Sequence, residues 1–135
     1  MHRTLDALKS HAHWLLRISL ASVFIYHGVV KVMDLGAFSQ MVGLSTPVAV
    51  LVTLAEIAGG VGILVGAFTN DLITRLAGLA IVPVMIGAIV MVHWGRWNFL
   101  PADGFPAGGM EFQVVLLLIA LFFIVMGNTG LNRRF

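Results

Sequence analysis

Four apolar stretches, each about as long as a membrane crossing, constrain what this chain can fold into. They cover residues 13–33, 47–66, 73–93 and 111–127. A helical crossing needs about 20 mainly apolar residues, and in lipid only helices and closed barrels satisfy all of their backbone hydrogen bonds. We therefore predict an all-α integral membrane bundle of four transmembrane helices, arranged up-down-up-down, as a single domain over residues 1–135.

The composition agrees with a membrane protein and excludes several other classes. Hydrophobic residues make up 59% of the chain and charged residues 10%, whereas soluble domains carry roughly 25% charged residues. The few basic residues form no stripe, so we expect no nucleic-acid partner. The chain has no cysteine, which excludes disulfides, cysteine-ligated iron–sulfur clusters and covalently attached c-type haem.

Lysine and arginine positions predict the orientation in the membrane. One side of the predicted bundle receives most of them: Arg3, Lys9, Arg17, Arg75, Arg133 and Arg134. Only Lys31 and Arg96 lie on the opposite side. By the positive-inside rule both termini are cytoplasmic. We expect Arg17 to extend toward the inner interface, where Asp71 or a lipid phosphate can meet it.

Ionisable residues from all four spans fall in the outer half of the predicted membrane. From the helical rise, His27 lies about 9 Å below the outer boundary, Lys31 about 3 Å and Glu56 about 13 Å. His93 and Glu111 fall at the boundary itself. A charge near the bilayer centre costs roughly 2.5–3.5 kcal/mol, so Glu56 should be protonated or paired with a cation. His27 is the partner closest in depth, and Lys31 reaches Glu56 only if its stem bends inward rather than toward the interface.

Each of these residues also has a purely structural interpretation. Glu56 and His27 can form an internal polar pair that only fixes the helix register. His93 beside Trp94 is well placed to contact lipid headgroups. Glu111 can stabilise the N-terminus of the fourth helix, where the helix dipole favours a carboxylate.

Small residues in the second span predict close helix packing. Ala58, Gly62 and Gly66 recur every four residues, a spacing that lets two helix backbones approach each other in lipid. Residues 59–60 are glycines next to Glu56 and leave room there for another helix or a flat ligand. Pro83 should bend the third span, because proline removes one helical hydrogen-bond donor.

Several short motifs resemble those of the DoxX/DoxD-like family of small four-helix membrane proteins. They are LLRISL (15–20), HGVVK (27–31), LAEIAGGVGILVG (54–66), VHWG (92–95), GGMEF (108–112) and MGNTG (126–130). The resemblance covers nearly the whole chain. It implies a multi-pass subunit of a bacterial or archaeal cytoplasmic membrane, linked to quinone-dependent oxidation as in the thiosulfate:quinone oxidoreductase for which the family is named.

The polar residues suit quinone chemistry, which needs an apolar slot and groups that protonate the ring oxygens. We assign His27 and Glu56 as catalytic proton-handling groups. The expected substrate-binding residues are Lys31, His93, Trp94, Glu111 and Phe112. Lys31 would stabilise the negative charge that develops on reduction. Quinone is the only cofactor expected. The glycines follow helical spacing and form no flavin- or nicotinamide-binding motif. Electrons should therefore pass through a partner subunit.

Other functions stay open. The chain can be a non-catalytic assembly subunit of a larger respiratory or photosynthetic complex, packed against other subunits or against copies of itself. His27 and His93 can be considered as haem ligands, or together with Glu56 and Glu111 as ligands of a non-haem metal, although we predict no metal and no haem. A transporter with so few spans would have to oligomerise. Whether the chain is itself an enzyme stays open.

Overall fold

The computed structural model describes residues 8, 9 and 11–129. Its α-helices are α1 (His13–Met33), α2 (Leu35–Val42), α3 (Thr46–Phe68), α4 (Asp71–Ala88) and α5 (Glu111–Met126). A π-helical turn, Ile89–His93, extends α4. Both chain termini lie outside the described residues, and so do Arg3, Arg133 and Arg134. The cytoplasmic placement of the termini therefore stays a prediction.

Three of the helical segments are long and apolar enough to cross a membrane, namely α1, α3 and α4 with its π-turn. This confirms the predicted all-helical membrane architecture. The last predicted span corresponds to α5, which has 16 residues and is about 24 Å long, shorter than the roughly 30 Å hydrocarbon core.

The short helix α2 was not predicted from the sequence. Asp34 begins it, since the Asp34 Oδ1 accepts the Ala37 N–H at 2.9 Å, and Gly43 ends it with a left-handed φ of 70°. None of its residues is buried. It lies against α1 and α3, close to the end of α1 where Lys31 is found.

The bundle is built around α3, which packs against α1 and α4. Gly62 lies against Ala77 and Gly66 against Thr74, so the predicted close contact is confirmed for these two glycines, whereas Ala58 is exposed. The side chains that close the core are Leu20, Phe24, Ile63, Ile81 and Phe123, all fully buried.

The space beside Glu56 is filled by neighbouring helices. Gly59 lies under Ile81 of α4, and Gly60 lies under Ile25 of α1. The two glycines were predicted to make room for either another helix or a flat ligand. In the structure, neighbouring helices fill this room, and no slot for a flat ligand is left there.

The main irregularity of α4 lies after its proline. Pro83 is within the helix, which continues to Ala88 before the wider π-turn begins. Such turns are rare and are frequently found at functional sites. Here the turn ends at His93, which faces the site described below.

Helix α5 runs antiparallel to α4 along its whole length. Near the start of α5, Gln113 bonds to His93 at the end of α4. At the other end, the Arg75 guanidinium donates to the carbonyl oxygens of Ile124 and Val125. The bundle thus has two polar ends, which we call the Lys31 end and the Arg17 end after the charged residue buried at each.

Candidate functional site

A buried ion pair joins α1 and α3 at the Lys31 end. The Lys31 Nζ donates to both carboxylate oxygens of Glu56, at 2.8 and 2.6 Å. The two side chains are 16% and 5% exposed, respectively. The partner of Glu56 is therefore Lys31 and not His27, so the Lys31 stem bends inward rather than toward the interface. The Phe38 ring of α2, 4.9 Å from Nζ, helps to hold the ammonium inward through a cation–π contact.

A polar cavity of about 140 Å³ adjoins this pair. Residues of α1, α3, α4, the π-turn and α5 line it together. Its polar and aromatic lining consists of His27, Lys31, Glu56, His93, Gln113, Phe24 and Phe112. Five of the residues predicted for the site thus share one cavity, and the π-turn and the start of α5 bring His93 and Phe112 into it.

His27 lines this cavity without a hydrogen bond of its own. Its ring meets the Tyr26 ring edge-on at 5.4 Å, and no hydrogen bond joins it to another described residue. The internal His27–Glu56 pair considered from the sequence is thus not formed. Both ring nitrogens of His27 stay available to a ligand.

A chain of hydrogen bonds fixes His93 on the opposite wall. The His93 Nδ1 lies 3.1 Å from the Gly108 carbonyl oxygen, which can only accept, so Nδ1 carries the proton. The Gln113 Nε2 then donates to the His93 Nε2 at 3.0 Å. Gln113 was missed from the sequence because it is uncharged; the available signal was an amide two residues into an otherwise apolar helix.

An apolar cavity of about 250 Å³ also adjoins the ion pair. Lys31, Glu56 and Ala88 line both cavities. The remaining walls come from α2, α3, α4 and the π-turn and include Phe38, Val48, Pro83 and Met91. Among the described residues that line this cavity, only Lys31 and Glu56 are charged.

Two predicted site residues lie elsewhere. Trp94 is 66% exposed and lines neither cavity. The Glu111 Oε2 accepts the Phe99 N–H at 3.3 Å, and Glu111 is the first residue of α5, as expected for a helix terminus. In the described part of the chain, no group of three or more histidine or acidic residues is arranged to hold a metal, so the four residues considered as metal ligands do not converge.

Arg17 is fully buried at the opposite end. Its Nη2 donates to the Asn128 Oδ1 at 2.7 Å. Its Nη1 donates to the Thr74 hydroxyl at 3.2 Å and to the Ile63 carbonyl. The guanidinium also lies 4.8 Å from the centre of the Phe123 ring. The expectation that Arg17 extends to the interface is therefore wrong. Asp71 does not meet it but pairs with Arg75 at 2.5 Å.

Asn128 connects three helices around this arginine. Besides accepting from Arg17, its Oδ1 accepts the Thr74 hydroxyl at 2.8 Å, and its Nδ2 donates to the Gly66 carbonyl at 2.8 Å. Its backbone N–H donates to the Asp71 carboxylate at 2.5 Å. In the sequence, Asn128 stands out only through its place in the MGNTG motif.

Comparison with known proteins supports the earlier resemblance. The DoxX family matches residues 12–94, from the start of α1 to the end of the π-turn. Neither the curated proteins nor the solved structures gave a match. Because the matched segment makes up more than half of the chain and contains all three membrane-length helices, this protein is a member of the DoxX family of membrane proteins.

Proposed function

We propose that this protein is a quinone-interacting subunit of a membrane oxidoreductase and that the Lys31 end holds its quinone site. The observation that carries the proposal is the Lys31–Glu56 ion pair, buried where a polar cavity meets an apolar one. A buried charge pair is costly, and ionisable residues within membrane helices commonly mark functional sites.

The two cavities match the two halves of a quinone. Their combined volume exceeds the roughly 300 Å³ at which small-molecule sites begin. The apolar cavity suits an isoprenoid or alkyl tail, and the polar cavity suits a ring with two oxygens. Residues that would contact the ring oxygens are His27, Lys31, Glu56 and Gln113, with Phe112 available to flank the ring. A bound quinone supplies a two-electron, two-proton couple.

Proton handling is the task we assign to His27 and Glu56. The His27 ring is free of hydrogen bonds within the described residues, and an imidazole can both accept and donate a proton, so it suits proton exchange with the ring oxygen. Glu56 is held by both of its oxygens and would accept or release a proton when Lys31 moves away. Lys31 would also stabilise negative charge developing at the ring.

Electrons would come from a partner subunit. A broad apolar groove between α1 and α3, lined by Ile18, Ile25 and Leu64 among others, also carries Ser22 and the 66%-exposed Tyr26. Hydroxyl-bearing faces of this kind favour association of helices in lipid. The same groove supports the second candidate function, a non-catalytic assembly subunit or a homo-oligomer.

Loss of the carboxylate should weaken quinone binding. We expect Glu56→Gln and His27→Ala each to raise the Kd of purified protein for decylubiquinone about tenfold, the equivalent of roughly 1.4 kcal/mol. Isothermal titration in mild detergent measures this. Glu111→Gln is the matched control, since it makes the same chemical change at a carboxylate outside both cavities.

Unchanged affinity in both variants would overturn the residue assignment. If native purification instead yields the protein at fixed stoichiometry with large subunits, and the complex keeps full activity with Glu56→Gln, the assembly function is the better one.

We also propose that α5 completes a fourth crossing and that the Lys31 end faces the outside. The antiparallel match of α5 to α4 supports the crossing. Because the chain lacks cysteine, single cysteines report exposure cleanly: Ala102→Cys should react with an impermeant maleimide in intact cells, and Thr69→Cys only after lysis. The reverse pattern would contradict the positive-inside prediction, and reaction of both in intact cells would contradict the proposed topology.

A further inference from the structure

Gly87 of α4 is a helix glycine that packing against a neighbouring helix does not explain. The other six glycines of α1, α3 and α4 lie so close to another helix that an added Cβ would come within 3.0 Å of its atoms. At Gly87 a Cβ would meet no described atom of another helix within 4 Å, and its φ is not positive. Since glycine destabilises a helix interior relative to alanine, its presence here has another cause.

The open space at Gly87 belongs to the apolar cavity. Gly87 lines this cavity together with Pro83 and Val84, one turn earlier in α4, and with Met91 of the π-turn. Residues three and four apart share one face of a helix, so the α-carbon of Gly87 is directed to the cavity. Pro83 and Met91 present side chains there, whereas Gly87 presents none. The cavity wall therefore has a recess at Gly87, which is only partly buried and so accessible.

The recess lies next to the residues that the two cavities share. Ala88 follows Gly87 in α4 and lines both the polar and the apolar cavity, as do Lys31 and Glu56 of the ion pair. A chain attached to a ring in the polar cavity can therefore enter the apolar cavity at Ala88 and continue along the recess. A cavity of about 150 Å³ already binds benzene, so the apolar cavity of about 250 Å³ has room for the first part of an isoprenoid or alkyl tail.

We propose that Gly87 is a specificity-determining residue, whose missing side chain keeps the apolar cavity open to the tail of a membrane quinone where the tail leaves the ring. The inference rests on the proposed quinone function and deepens it, because it names the substrate class as quinones that carry a tail. A side chain at position 87 would extend into the space that the tail occupies. It would not narrow the polar cavity, which Gly87 does not line. Tail binding and ring binding should therefore respond differently to substitution.

Two ligands with the same ring separate the tail from the ring in the purified full-length protein. They are decylubiquinone and the tailless dimethoxymethylbenzoquinone. Gly87→Leu should raise the Kd for decylubiquinone about tenfold and leave the Kd for the tailless ring within about twofold of the wild-type value. Each ligand is compared only with itself across variants, so its partition into detergent cancels. Gly36→Leu is the matched control, since it makes the same change at a helix glycine outside both cavities, and it should alter neither Kd.

Gly87→Ala keeps the test decisive if the leucine variant fails to fold. Alanine favours a helix over glycine, and its methyl group would meet no neighbouring helix. The variant should therefore unfold at a higher mole fraction of sodium dodecyl sulfate than the wild type. The same methyl group narrows the recess, so the Kd for decylubiquinone should rise about two- to threefold. A more stable protein that binds the tailed ligand more weakly is a result that a purely structural role of Gly87 would not give.

The outcomes separate the two proposals. Unchanged affinity for decylubiquinone in both Gly87 variants overturns the role of Gly87 and leaves the quinone function standing. That result is also expected if a lipid acyl chain occupies the recess instead. Equal weakening of both ligands likewise overturns the role, because the substitution then acts on the whole site. Failure of the wild type to bind either ligand rejects the proposed function itself.

Discussion

Lys31→Met should lower the free energy of unfolding by about 3–5 kcal/mol, the range measured when one partner of a buried ion pair is removed. Methionine keeps most of the length of the lysine stem but provides no donor. Both oxygens of Glu56, now bonded to Nζ at 2.8 and 2.6 Å, would be left without their cation in a side chain that is 5% exposed. The carboxylate would have to bind a proton or be hydrated by water that enters the bundle.

Titration with sodium dodecyl sulfate in mixed micelles, followed by circular dichroism, measures this loss. Adding Glu56→Gln to Lys31→Met should restore most of the lost free energy of unfolding. The unpaired charge is then removed, and only the smaller cost of burying a neutral amide is left. Gln40→Met is the control, since it places methionine at an exposed position of α2 and should shift stability by less than about 0.5 kcal/mol. Equal destabilisation of the single and double variants would show that the unpaired Glu56 carboxylate is not what destabilises Lys31→Met.

The sequence predicts the helical spans well because one physical requirement dominates them. An uninterrupted apolar run in lipid must satisfy its backbone internally, so the run itself indicates where α1, α3 and α4 lie. Glu56 could be singled out for a related reason: it is the only charged residue in the apolar stretch 47–66, and at that depth a charge requires a partner.

The direction of side chains could not be read in the same way. Lys31 is near the end of α1, from which both the interface and the interior are within reach of its stem. The inward direction depends on Phe38, which lies on the unpredicted helix α2. Gln113 was not singled out because one uncharged amide changes the mean hydropathy of an apolar stretch only slightly. Its place in the site follows only from its hydrogen bond to His93, which depends on the His93 tautomer.

Contacts between distant parts of the chain were equally hidden. Arg17 looked like an interfacial arginine because it lies one turn into α1, and its main acceptor, Asn128, comes 111 residues later. The predicted counter-charge Asp71 is instead committed to Arg75 and to the backbone of Asn128. Only the packing of α5 along α4 shows why Arg17 can stay inside.

Asn128→Ala should be about as damaging at the Arg17 end, with an expected loss of roughly 3 kcal/mol in the free energy of unfolding. The Arg17 guanidinium is fully buried, and Ile63, Thr74 and Asn128 offer it neutral oxygens only. Its charge is therefore solvated by these acceptors and by the Phe123 ring. Removing the Asn128 amide takes away the acceptor that lies 2.7 Å from Nη2. It also leaves the Gly66 carbonyl without its extra donor.

Three variants in the same detergent titration isolate this effect. Asn70→Ala is the matched control: Asn70 caps α4 through the Ile73 N–H at 3.0 Å, so its loss should cost only about 1 kcal/mol. Asn128→Asp restores the acceptor and adds a counter-charge for Arg17, so it should recover at least half of the loss even though it no longer donates to the Gly66 carbonyl. If Asn128→Ala costs no more than Asn70→Ala, Asn128 is not what keeps Arg17 buried, and the carbonyl of Ile63 and the hydroxyl of Thr74 must suffice to hold the charge.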